Sequence, residues 1–149
     1  MNKIIAAIGL TILMAGAASA HDITWSNNIK GIVEKQCLTC HGPDSAPEYS
    51  QFKKEKEKWL AKGLGMRMDT YSHLISFVGW PNTGAMMRRL DDGKGSKDGK
   101  PGNMYEHLGA TEVERQKNLD IFKAWVGNWS LKRFPDSNME DLKNIKVKY

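Results

Sequence analysis

The stretch EKQCLTCHGPD, residues 34–44, carries both cysteines of the chain. Two residues separate Cys37 from Cys40, and His41 follows the second directly. Thiols at this spacing have a short menu of chemistry. A disulfide would close a tiny loop and constrain little of the unfolded chain. A catalytic dithiol needs a helix N-terminus after a strand, where the dipole lowers a thiol pKa. Here the pair ends a helical pattern, and no βαβ pattern surrounds it. A zinc site built on two thiols and one imidazole lacks its fourth ligand. The remaining chemistry is covalent haem attachment, whose signature is Cys-x-x-Cys-His. Each sulfur adds to one porphyrin vinyl group, and the adjacent imidazole reaches the iron. The spacing thus points to one haem c held by thioethers from Cys37 and Cys40, with His41 as an axial ligand.

The elements around this stretch read as helices. Trp25, Ile29, Ile32 and Val33 share one helical face that runs into Cys37, with Ser26 and Asn27 as candidate caps. Tyr49, Phe52, Trp59 and Leu60 lie among Lys53, Lys54, Glu55, Lys56, Glu57 and Lys58, an amphipathic surface helix stopped at Gly63. Tyr71, Leu74, Ile75 and Val78 follow helical spacing after a cap at Asp69 or Thr70, and Trp80-Pro81 breaks the pattern. TGAMMRRL is a short helix with Thr83 as its expected cap. Residues 91–103, DDGKGSKDGKPGN, contain no apolar side chain and read as a flexible surface loop. Thr111 with Glu114 fits a capping box for the last strong helix. Leu119, Phe122, Trp125, Val126 and Trp129 form its apolar face. The basic tail, 131–149, adds a short helix around Met139 to Ile145 or simply wraps the surface. Short helices joined by long loops leave a small chain short of core, and a flat apolar cofactor would fill the gap.

The chain opens with MNKIIAAIGLTILMAGAASA. Lys3, the apolar run from Ile4 to about Met14, and the small residues ending at Ala18-Ser19-Ala20 have the layout of a secretory signal peptide. The run is short for a bilayer span, which disfavours an uncleaved anchor. Cleavage after Ala20 and export to the periplasm are expected, leaving a single domain over residues 21–149. No later segment is apolar enough to cross a membrane. Basic residues number 22 against 17 acidic ones. This modest excess suits an acidic protein partner rather than a nucleic acid, whose binders concentrate a basic face.

The CLTCH motif, the helix before it, several short helices and the aromatic-bearing segment FKAWVGNW together resemble the class I c-type cytochromes. The likeness spans about residues 25–130. CHGPD, GMRMDTYSHL, WPNTGAMMRRL and GNMYEHLGATEVERQKNL follow the order of bacterial variants of that family. The resemblance implies an all-α fold of short helices wrapped around one covalently bound haem. Tyr49–Gly63 would be an added helix and 91–103 a long glycine-rich loop. Ile29 stands where the family usually has a glycine at the crossing of the first and last helices, and Gly31 is the nearest glycine.

The implied function is a periplasmic monohaem carrier of single electrons, not an enzyme. The alternatives are a haem enzyme or ligand sensor with an open sixth iron position, a thiol–disulfide oxidoreductase, or the cytochrome subunit of a larger redox complex. The family places its axial methionine in an irregular loop before the last helix. Here that residue is Met104, with Tyr105 where a proline usually follows. Met86, Met87 and His107 are the other candidates. Met66 and Met68 take the place of packing leucines, His73 falls on the polar side of its helix, and Met139 lies in the tail. His21, the expected new N-terminus, could grip copper only with a further histidine. The other ring nitrogen of a ligating histidine normally donates to a carbonyl, expected here from the loop containing Pro43 or Pro47. Partners would be redox proteins with acidic surfaces, met by Lys53, Lys54, Lys56, Lys58 and Lys62 if these ring the haem edge. Paired with Glu55 and Glu57, the same lysines make an ordinary solvated face.

Overall fold

The computed structural model describes residues 22–149; the expected signal peptide, its cleavage site and His21 lie outside them. Every named element among the described residues is helical, and Gly127 with Ile145 forms an isolated antiparallel bridge. The first helix opens as a π turn, Trp25–Ile29, and continues as α1, Lys30–Gln36. Its cap is Thr24 rather than Ser26 or Asn27. The Thr24 side chain accepts from the Asn27 amide, satisfying one donor that the first turn leaves free. After a break at Cys37 comes α2, Leu38–His41.

Trp25, Ile29 and Val33 pack into one buried cluster with Leu119, Phe122, Trp125 and Val126 of α7, Glu112–Val126. Ile29 is fully buried, whereas a Cβ on Gly31 would meet open space. Side chains, not a glycine, therefore make this contact. Thr111 caps α7 by accepting from the Glu114 amide, while the Glu114 carboxylate reaches Ala110 rather than closing the box on Thr111. The helix ends at Gly127, φ 81°. Trp129 thus lies beyond it, and its indole N–H donates to buried Asp91 at 2.9 Å.

That bond pins one end of the 91–103 loop, which is a series of hydrogen-bonded turns. Gly93 donates to the Asp91 carboxylate at 2.9 Å, and Gly102 returns to the Asp91 carbonyl at 2.8 Å. Between the first helix and this loop lie α3, Tyr49–Lys54, and α4, Lys56–Ala61. They are two helices rather than one because Glu55 leaves helical geometry. Next come α5, Tyr71–Val78, capped by Thr70, and α6, Ala85–Leu90. Thr83 does not cap α6. It is buried and donates to the Gly79 carbonyl, while Gly84 takes the cap position at φ 70°. A Cβ there would sit 2.2 Å from the Lys132 carbonyl oxygen, so only glycine fits.

The tail does both things expected of it. It forms α8, Met139–Lys143, with a capping box between Asn138 and Asp141. It then folds back over the core. Lys146 and Val147 donate to the Val126 and Trp125 carbonyls at 2.9 Å each. The Lys148 carbonyl accepts from the Trp25 amide at 2.9 Å and the Trp125 indole at 2.7 Å. This strap ties the first helix to α7.

Candidate haem-binding site

Cys37 and Cys40 sit on one helical turn: Cys40 and His41 both donate to the Cys37 carbonyl, at 3.2 and 2.9 Å. Both are unpaired thiols, Cys37 half-buried and Cys40 exposed. Burial, with a smaller push from neighbouring Cys40, raises the Cys37 thiol to about 11. A dithiol catalyst needs the opposite, a thiol shifted down toward thiolate at neutral pH.

His41 is held by a strap formed by residues 64–69. Its Nδ1–H donates to the Met66 carbonyl at 2.6 Å. The Met68 amide donates to the His41 carbonyl, and the Arg67 amide to the Pro47 carbonyl, both at 2.9 Å. The expectation that the Pro43 or Pro47 loop would supply the acceptor is therefore corrected. Pro47 braces the strap, and Met66 supplies the carbonyl. Nδ1 is occupied, so Nε2 is the nitrogen left for iron. Gly65 lies against the ring: a Cβ there would come within 2.7 Å of His41 Cε1. We expect Gly65→Ala to push the ring off its position and destabilise the haem protein by about 1–3 kcal/mol, as overpacking does. A lower denaturation midpoint together with shifted His41 ring resonances would show it; unchanged ring resonances would mean that the strap yields instead.

The remaining candidates separate by environment. Met104 is partly buried against the core, just before a 3-10 turn, Tyr105–Leu108. Its amide donates to the Arg89 carbonyl at 2.9 Å, and neighbouring Asn103 accepts from Arg89 at 2.7 Å. Gly102 lies so close to the end of α6 that a Cβ would meet Arg89 O at 2.3 Å. On its other side, buried Tyr105 donates to Glu112 at 2.6 Å. Desolvation, aided by that bond, pushes the Tyr105 phenol up to about 12 and keeps it a donor. The Met104 backbone is thus anchored on both sides.

Met86 and Met87 are core residues, 4% and 1% exposed. Met66 and Met68 are partly buried against the same core, and Met139 is exposed. The His107 side chain is 61% exposed beside Glu106. His73 is not a merely solvated histidine: its two ring nitrogens meet Asp69 and Glu48, each at 3.2 Å. Neither nitrogen is free for iron.

Two buried donors, Trp59 Nε1 and Asn82 Nδ2, find no acceptor among the described residues. Buried donors are rarely left so. Trp59 connects to the strap through its carbonyl, which accepts from Leu64 at 3.0 Å, and Asn82 Oδ1 accepts from Tyr49 at 3.0 Å. A haem brings carboxylate acceptors as well as two vinyl groups and an iron. The two thiols, the imidazole with a braced Nδ1, and these orphaned donors together fit that group. Sequence reasoning missed Gly65 and the Met66 carbonyl as site elements. Only the closely spaced glycines of KGLGMRMD hinted that backbone approaches a neighbour there.

The chain matches the PccH Cytochrome c family over residues 24–149. It is also similar to a solved structure described as monoheme cytochrome PccH from Geobacter sulfurreducens. The identity is 64%, covering 86% of this chain and 99% of that one, with a TM-score of 0.79. No curated protein matches the chain.

Proposed function

The chain belongs to the PccH cytochrome c family, and on that premise we propose how its own residues serve the electron-transfer role of a monohaem cytochrome. Bound at this site, the haem supplies one-electron chemistry at its iron. Cys37 and Cys40 anchor the group covalently. His41 presents Nε2 to the iron while the Met66 carbonyl holds Nδ1–H, which fixes the ring and makes it a better donor. Met104, from its anchored segment, would be the second protein side chain to hold the iron. With both side chains held by their own backbone contacts, little of the protein would rearrange when one electron moves, and no substrate bond would be made or broken.

The chain is exported by residues 1–20 and works in the periplasm as one domain. Its partners are redox proteins with acidic docking surfaces. Lys53, Lys54, Lys56, Lys58 and Lys62 support this reading, since all five are exposed on or just after α3 and α4. Lys58 pairs with Glu55, while Lys53 and Lys62 lie over the Tyr49 and Trp59 rings. Such a face speeds encounter with an acidic partner, an effect that salt weakens.

The observation that carries this function is the short bond from His41 to the Met66 carbonyl beside two unpaired thiols. The test is the optical spectrum of the oxidised protein. A weak far-red band from methionine sulfur to iron is expected. A covalently bound haem without that band would replace the Met104 assignment by an open or histidine-ligated sixth position.

A further inference from the structure

The strap that holds His41 is itself held by a ring of three charged side chains and one histidine. Arg67 follows Met66, the residue whose carbonyl takes the His41 proton. Its guanidinium makes a two-point bond to Asp69, Nε to Oδ1 and Nη2 to Oδ2, both 2.9 Å. Its third nitrogen, Nη1, donates to Glu48 at 2.6 Å. The same two carboxylates meet His73, Asp69 at Nδ1 and Glu48 at Nε2. Glu48 is the residue before α3, Asp69 and Arg67 belong to the strap, and His73 lies on α5. The ring thus joins three separate pieces of the chain. The Asp69 side chain is 12% exposed and Arg67 26% exposed. Their bidentate geometry loses little to solvent screening compared with a surface pair. Arg67 accordingly holds the Asp69 carboxyl below the usual carboxylate range.

We propose that the ring of Glu48, Arg67, Asp69 and His73 sets the haem potential by fixing the Met66 carbonyl against His41 Nδ1. The proposal rests on His41 being an iron ligand. A short Nδ1–H···O=C bond makes the imidazole a stronger donor, and a stronger donor favours Fe(III) and lowers the potential. If the ring is loosened, the carbonyl moves more freely, the bond weakens on average and the potential rises. These four side chains are positioning residues; none needs to touch the haem.

The test uses the haem-loaded protein with Asp69→Asn, which removes one arm of the bidentate pair and keeps the side-chain shape. The expected result is a higher reduction potential. Solvent exchange of the His41 Nδ1 proton in the reduced protein should also quicken about tenfold, which corresponds to ~1.4 kcal/mol of lost local restraint. Glu48→Gln, at a half-exposed position, should move both readings in the same direction. It also covers the case in which Asp69→Asn does not fold. Glu57→Gln, an exposed carboxylate on α4 outside the ring, removes the same charge and should leave the exchange rate unchanged. Unchanged exchange in both ring variants overturns the proposal even if the potential shifts, because charge alone moves a potential. Hyperfine-shifted His41 ring protons in the oxidised parent protein report ligation separately. Their absence overturns the ligand assignment and this proposal with it; their presence with unchanged exchange overturns this proposal alone.

Discussion

Met104→Ala is expected to abolish the far-red band and lower the reduction potential, by a sizeable part of the ~0.8 V range that axial ligands span. A thioether stabilises Fe(II) relative to water or imidazole, which is why Met–His ligation raises the potential. The segment is built so that this loss stays local. Gly102 and Asn103 bond to α6 and the loop start through main chain and Arg89, and Tyr105 bonds to Glu112. Truncating Met104 leaves all of these partners in place. The backbone should therefore hold, and covalent haem should still be recovered. The same substitution at Met87, which is 1% exposed in the core, should act in the other order. It should cost about 2–5 kcal/mol of stability and keep the band. Redox titration and the optical spectrum of the two variants check the assignment. A band that survives Met104→Ala removes Met104 from the iron.

Removing residues 145–149 should have the largest effect on stability, on the order of 5 kcal/mol. Five hydrogen bonds that tie the backbone of that segment to the first helix, α5 and the end of α7 go with it. The amides of Lys146 and Val147 and the carbonyls of Val147 and Lys148 engage Val126, Trp125, Tyr71 and Trp25. At ~1 kcal/mol each, with a buried indole N–H left unpaired, that approaches the whole stability of many small domains. The bonds come from backbone, so side-chain changes on the strap should matter far less. Lys148→Ala breaks only an exposed pair with Asp22 and should be nearly silent. Denaturant titrations of the haem protein, with and without the segment, decide it. A truncated chain as stable as the parent would mean that Trp25 and Trp125 need no strap.

Features that depend on neighbours a few residues apart were legible in the chain's residue order. The cysteine spacing and adjacent histidine point to haem attachment in the sequence alone because the vinyl separation is a local distance. Helical periods placed Leu119, Phe122 and Trp125 on the buried face of α7, since the face of a helix is a local property as well. The Thr111 cap was equally legible. Tertiary structure decided whatever needed a partner distant in the chain. The acceptor for His41 is the carbonyl of Met66, twenty-five residues on, and any residue type offers the same carbonyl, so no letter marks it. Gly84 rather than Thr83 caps α6 because the Lys132 backbone passes too close for a side chain. His73 reads as solvated from its helix position, yet Asp69 and Glu48 occupy both of its nitrogens. Backbone acceptors, close approaches and charge partners across the fold leave no periodicity and no motif, so only the folded chain reveals them.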